Sequence, residues 1–181
     1  HPLCRRQRQM CIRDRLIRYL AEHKHWSPFA HTFLSFRIKA PVFVARQLVK
    51  HQVGLVWNEE SRRYITHDPE IYNIRKWREK PDSSKQGSGE QIIISTELNL
   101  EVSEHLQQGL SLYNRLLLEN VAPEQARAVL PQSMYTNWIW SGTLYAFARV
   151  CELRLDEHSQ KETQDIACLL YTSDAADDIT G

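Results

Sequence analysis

TFLSFRI, residues 32–38, places Leu34, Phe36 and Ile38 on alternate positions with Ser35 and Arg37 between them. A period of two, apolar on one side and polar on the other, predicts a half-buried strand. Ala40-Pro41 breaks that alternation, and Pro41 suits the first turn of a helix running to about Lys50. Ahead of the strand, RLIRYLAEHK (15–24) puts Leu16, Ile17 and Leu20 on one helical face, and Ser27-Pro28 bends the path that follows.

Further along, the spacing changes to the helical period. Val102, Leu106, Leu110, Tyr113 and Leu117 recur at three- and four-residue steps in a helix that starts near Thr96 and Glu97. Its leucine stripe suits a core or a subunit interface. Pro123 opens a short helix that Pro131 ends, another helix covers about Thr143 to Leu153, and a last amphipathic piece begins near Glu157. Between these regions, residues 65–91 are polar and contain Pro69, Pro81, Gly87 and Gly89. They read as a long excursion with a short helix near Ile71 to Trp77 and a mobile tip, EKPDSSKQGSGE. The expected class is α+β, a small antiparallel sheet packed with a majority of helices.

The two ends differ from the rest. Residues 1–15, HPLCRRQRQMCIRDR, hold five arginines and two cysteines without periodicity, and 169–181 read LLYTSDAADDITG. MCIRDR and LYTSDAADD resemble translated sequencing-adapter DNA, so both segments are expected to be non-native, leaving a domain over 16–168 that is truncated at both ends. That domain is neutral: 23 Lys+Arg minus the five at the start, and 22 Asp+Glu minus Asp14, Asp174, Asp177 and Asp178, leave 18 of each. A net charge of +1 for the whole chain argues against a strongly basic nucleic-acid binder. No run of eighteen apolar residues offers a membrane span, and no apolar segment follows the basic N-terminus as in a secretory signal. Cys151 and Cys168 form no disulfide framework, and the expected compartment is the reducing cytoplasm.

Chemistry concentrates in one place. Gln47, Lys50, His51 and Gln52 precede Asn58, Glu59, Glu60, Ser61, Arg62, Arg63 and Tyr64 within eighteen residues. A solvated helix end accounts for such a cluster, but Leu55, Val56 and Trp57 in its middle must pack inward. Polar groups held beside packed apolar ones need partners, and a ligand is one source of them. Elsewhere, His23, His25 and His31 lack the completing set of a zinc site, and no metal is expected. Tyr135, Trp138, Trp140, Tyr145 and Phe147, at mixed spacing, read as core before they read as a stacking platform. Cys151, in a helical run without a nearby histidine, reads as a packed small hydrophobe.

The order of the polar residues resembles the flavin-dependent thymidylate synthases. That family's Arg-His-Arg is matched by Lys50-His51-Gln52, and its Asn-Glu, Ser and Arg-Tyr by Asn58-Glu59, Ser61 and Arg63-Tyr64. Upstream, His25-Trp26-Ser27-Pro28-Phe29 and Ala40-Pro41 through Arg46-Gln47 fit the same pattern. Downstream, Ala126-Arg127 to Leu130-Pro131, Tyr135-Thr136, and Leu153-Arg154 to His158 and Gln160 resemble its second signature. The Lys-His-Gln variant resembles divergent, phage-like members. Eight residues separate Gln52 from Ser61, one more than in the family, so the extra residue is expected to bulge from the loop or helix end. Lysine keeps the charge of arginine without its forked grip, and glutamine keeps hydrogen bonding without charge.

By this resemblance the chain methylates dUMP to dTMP with bound FAD, taking carbon from methylenetetrahydrofolate and reducing equivalents from NADPH. Arg63 and Arg127 would hold the phosphate, helped by Ser61 and Gln47, with Lys50 and Glu59 also on the substrate side. Arg154 would lie against the uracil ring and favour the charge developing there, which with Ser61 makes the catalytic pair. His25, Ser27, Lys50, His51, Gln52, Asn58 and Glu59 would line the flavin and folate side. No protein nucleophile is needed, because the cofactors supply the difficult chemistry. The family forms its active sites between subunits of a homotetramer, which is the expected assembly, with neither nucleic acid nor membrane as partner. Two rival readings are a non-catalytic nucleotide- or RNA-binding module that uses the same arginines and aromatics, and an inactive, truncated member of the family.

Overall fold

The computed structural model describes residues 13–81 and 87–172. The ends expected to be non-native, 1–15 and 169–181, fall mostly outside these residues, as do residues 82–86 of the tip expected to be mobile. A three-stranded antiparallel sheet organises the chain, in the order β1-β5-β2, with β1 at Phe33–Pro41, β2 at Leu55–Glu59 and β5 at Tyr135–Thr143. The alternation read in TFLSFRI is present: Ile38 and Ala40 are buried, Leu34 and Phe36 half-buried, and the residues between them exposed. Each inward residue of β1 faces one of β5, pairing Phe36 with Trp140, Ile38 with Trp138 and Ala40 with Thr136.

The inner face is covered by helix α3 (Val42–Leu48), helix α6 (Leu144–Arg154) and helix α7 (Lys161–Thr172). Val44 and Leu48 of α3 and Phe147 and Val150 of α6 close the core over Ile38, Trp138 and Trp140. Trp57 stacks on Trp138 at 4.3 Å and meets the edge of Trp140 at 5.6 Å, contacts worth about 0.5–1.5 kcal/mol each beyond the area they bury. The expectation that the aromatic group is core therefore holds for Trp138, Trp140 and Phe147. That Tyr135 through Thr143 form the central strand went unread, because Tyr145 and Phe147, which belong to α6, disguised the period-two spacing of Trp138 and Trp140.

Helix α1 covers residues 13–22, and the short α2 covers Ser27–Ala30. Pro41 stands just before α3, whose first two N–H groups donate to Met134 O and Gln132 O, so the helix start is satisfied by the chain entering β5. The helix ends at Leu48, two residues short of the expected Lys50. The polar cluster beyond it is a turn and a strand rather than a helix end. Gly54 turns the chain at φ +75, a conformation that glycine takes without strain. β2 then pairs with β5 from Leu55↔Gly142 to Glu59↔Trp138 in unbroken register, so the long spacing before Ser61 raises no bulge in the strand.

The expected helix near Ile71 to Trp77 does not form. Ile71 bridges Met134, Tyr72 N donates to Ser133 O at 2.8 Å, and Tyr135 N donates to Glu70 O at 2.8 Å. The backbone there pairs with the approach to β5 and is unavailable for helical bonds. Next comes a small ribbon of β3 (Trp77–Arg78) and β4 (Gln91–Ile92). Helix α4, Thr96–Leu118, is capped by Ser95, whose hydroxyl accepts from Leu98 N at 3.2 Å. Leu106 and Tyr113 are its buried residues, while Leu98, Leu100, Leu112 and Leu118 are exposed. Helix α5 (Pro123–Ala126) runs into a turn of 3-10 helix at Arg127–Val129. Helix α7 starts four residues later than the expected Glu157 and continues across residue 168 to Thr172. Among the described residues no helix is long and apolar enough to cross a membrane.

Candidate functional site

A cleft of about 490 Å³ opens where the end of α6, the start of α7, α3 and the 77–92 ribbon meet. Gln47, Arg78, Ser88, Arg154, His158 and Gln160 line it. Two of these, Gln47 and Arg154, are residues given a role from sequence, 107 positions apart and brought together by the packing of α3 and α6 beneath one sheet.

Arg154 is the last residue of α6. Its Nε donates to His51 Nε2 at 2.8 Å, which requires Nε2 to be the unprotonated ring nitrogen. Burial, and secondarily the charge of Arg154, lowers the pKa of His51 below its ordinary 6.5. The imidazole is thereby kept neutral, and the direction of its hydrogen bond is set. The terminal nitrogens of Arg154 have no partner among the described residues, so the guanidinium is anchored at Nε and free at its outer edge.

Behind the cleft runs a chain of amides. Gln47 Nε2 donates to Gln160 Oε1, and Thr163 Oγ1 bonds Gln47 Oε1 at 3.2 Å. Gln160 Nε2 donates to Glu162 Oε2 at 3.0 Å, and Arg78 Nη2 contacts both oxygens of Glu162 at 2.7 and 2.8 Å. Arg78 Nε also donates to Ser88 Oγ at 2.8 Å. Burial pushes the Glu162 carboxyl up, but the bonds from Arg78, its own backbone N–H and Gln160, with the charge of Arg78, outweigh it and leave the pKa below 4.5.

The other residues named from sequence lie apart from this cleft. Lys50 and Gln52 flank His51 and are exposed. Asn58 points to the uncovered face of the sheet, while Glu59 accepts from Thr136 Oγ1 at 2.8 Å and from Trp57 Nε1 at 3.1 Å. Beyond β2, Ser61 Oγ accepts from Arg63 Nε at 3.1 Å, and the Arg63 guanidinium lies 5.0 Å from the Tyr64 ring centroid. Arg127 is exposed and donates to Glu124 O at 3.2 Å. His25 and Ser27 are exposed around the start of α2. Among the described residues no hydrogen bond joins Arg63, Arg127 and Arg154 to one another.

Sequence reasoning missed Arg78, Glu162 and Thr163. Arg78 lay in a segment read as an excursion, and its partner is 84 residues away. The one available signal was Gln160, which lies in the stretch read as resembling the second signature but received no role. Cys151 is buried, with Sγ 3.7 Å from Ala167 O, as expected of a packed thiol. Among the described residues no group of three or more metal-ligating side chains occurs.

Comparison with known proteins identifies the family. A family model described as "Thymidylate synthase complementing protein" matches residues 3–174. The flavin-dependent thymidylate synthase of Kosmotoga olearia is 40% identical over 157 residues, covering 84% of this chain and 67% of the relative. That of Dictyostelium discoideum is 36% identical over 159 residues, covering 86% and 52%, and that of Thermus thermophilus 36% over 152 residues, covering 84% and 56%. The chain thus spans between 52% and 67% of the length of these relatives. With that model matching residues 3–174 and relatives 36–40% identical over more than four fifths of its length, this chain belongs to the flavin-dependent thymidylate synthases.

Proposed function

We propose that the protein converts dUMP to dTMP by reductive methylation, with FAD as cofactor, methylenetetrahydrofolate as carbon donor and NADPH as reductant. The observation that supports this most is Arg154, anchored by neutral His51 and opening onto a cleft that Gln47 also lines. A guanidinium with free outer N–H groups suits a pyrimidine carbonyl that gains negative charge on attack. Donors aimed at developing charge need no reorganisation when the reaction occurs.

On the substrate side, Arg154 would lie against the uracil ring. Gln47, Lys50, Glu59, Ser61, Arg63 and Arg127 would contribute to binding the nucleotide, the arginines taking its phosphate. Arg63 and Arg127 lie away from the Arg154 cleft within one chain, which supports a site completed by a neighbouring copy. The exposed leucines of α4, Leu98, Leu100, Leu112 and Leu118, offer a surface for the homotetramer in which such a site would form.

For FAD, the donor set is suited in chemistry. Exposed Lys50 and Gln52 give a cation and an amide for a pyrophosphate, on either side of an imidazole whose Nδ1 bears the proton. His25, Ser27, Lys50, His51, Gln52, Asn58 and Glu59 would line the flavin and folate side. When bound, the flavin supplies the redox chemistry. The residues bind, orient and stabilise charge, and the cytoplasmic location belongs to the same proposal.

The test is to purify the chain, record the visible flavin spectrum, and measure tritium release from dUMP labelled on the uracil ring. A yellow protein that releases tritium in the presence of methylenetetrahydrofolate and NADPH is expected. A colourless protein that takes up no FAD and releases none would overturn the proposal.

A further inference from the structure

The amide chain behind the cleft has a direction, and one residue sets it. A carboxylate only accepts hydrogen bonds, so Gln160 must turn its NH2 toward ionised Glu162 and its oxygen toward Gln47. Gln47 must in turn give its NH2 to Gln160 and its oxygen to Thr163, which is the arrangement observed. Thr163 at the far end cannot impose this order, because a hydroxyl donates and accepts equally well. Glu162 can, and it is held by Arg78 Nη2, which meets both of its oxygens, with side chains 22% and 12% exposed for Arg78 and Glu162.

We propose that Arg78 and Glu162 are positioning residues that fix the orientation of the Gln47 amide, and with it which hydrogen-bonding group Gln47 offers to the substrate. After its two observed bonds Gln47 keeps one N–H and one lone pair. If the chain reversed, nitrogen and oxygen of Gln47 would exchange places, and the spare donor and acceptor would move with them. An anionic or carbonyl oxygen in the cleft needs the donor. Arg78 therefore acts on binding through three intervening side chains and need not touch the nucleotide itself. This inference rests on the reading of the cleft as part of the dUMP site.

The experiment uses the full chain, with dUMP titrated by calorimetry and KM and kcat taken from tritium release. In Glu162→Gln the end of the chain can donate as well as accept, so the order is lost. KM and Kd for dUMP are expected to rise about tenfold, the scale of one hydrogen bond to a charged group, while kcat and flavin spectrum stay close to those of the parent. Gln47→Ala is expected to raise KM similarly, and the Gln47→Ala/Glu162→Gln double variant no further, because both remove the same interaction. Arg78→Lys keeps the charge beside Glu162 and should recover part of the affinity lost in Arg78→Met. Should Glu162→Gln fold poorly, the Arg78→Lys and Arg78→Met pair supplies the same comparison. A Glu162→Gln protein with unchanged dUMP affinity, or fully additive losses in the double variant, would overturn the inference alone. A parent chain that binds no dUMP would overturn it together with the functional reading.

Discussion

Arg154 donates its Nε proton to Nε2 of His51 across 2.8 Å, joining the end of α6 to the turn that follows α3. A cation is thus oriented by a neutral ring and not by a carboxylate. The guanidinium keeps its full positive charge for whatever enters the cleft, which an acidic partner would have partly cancelled.

Burial of His51, and secondarily the charge of Arg154, is expected to make the protein sensitive to mild acid. The pKa of His51 is lower in the folded chain than its unfolded value of 6.5, so the unfolded chain binds the extra proton first. The stability from this group is complete above 6.5 and is lost as the pH falls through the lowered folded value. The melting temperature, followed by calorimetry between about pH 5 and pH 8, is expected to drop on the acid side. In His51→Gln this part of the slope should disappear, and an unchanged slope would show that the imidazole is not responsible.

Arg154→Ala is expected to lower kcat by about 10²–10³, the usual effect of removing one group that stabilises developing charge. The fold should survive, because the side chain lies half-buried at a helix end. Ring-proton NMR should show the His51 pKa moving up when the neighbouring charge is removed. Tritium release at the parent rate would contradict the role given to Arg154.

In the centre of the sheet, Trp140 is fully buried and its Nε1 has no partner among the described residues. Trp140→Phe deletes ring volume but also an orphan donor, whose burial costs about 1–3 kcal/mol. It should therefore destabilise far less than Trp140→Ala, for which about 3–5 kcal/mol is expected. Urea unfolding of the two variants checks the order, and equal losses would refute it.

Gly142 has a different constraint. A Cβ there would come within 2.3 Å of Gly54 O, a backbone atom in the turn before β2. Neither strand can yield without breaking their pairing at Leu55↔Gly142. Gly142→Ala is expected to cost about 1–3 kcal/mol, with a chemical-denaturation midpoint lowered accordingly. A variant as stable as the parent would mean that β2 can shift.

Cys151 is packed against α7, and burial pushes its thiol pKa up. Cys151→Ala should leave turnover at the parent level, since the thiol neither opens to the cleft nor ionises readily. Iodoacetamide with peptide mapping should modify the exposed Cys168 well before Cys151. Loss of turnover in Cys151→Ala would point to a nucleophile and to a different mechanism.

The elements that could be read in advance were those whose pattern is local. β1 alternates over TFLSFRI, α4 repeats at the helical period for 23 residues, and Pro123 opens α5 where proline is tolerated. Where partners are remote, the reading failed: no helix forms from Ile71 to Trp77, and residues 70–72 pair instead with residues 133–135. The central strand was hidden because its inward row, Thr136, Trp138, Trp140 and Gly142, mixes a hydroxyl, two indoles and a glycine.

From the order of residues alone came the class of fold and the family, because strand and helix periods and a set of spaced side chains are properties of the chain itself. Only the folded molecule could decide that Arg154 meets His51, that Gln47 is tied through Gln160 to Glu162, and that Arg78 closes that line from a distant ribbon. Those pairings join residues about 84 to 113 positions apart, and no periodicity reaches that far. They exist because three helices are pressed onto one face of the sheet, where buried polar atoms had to find one another.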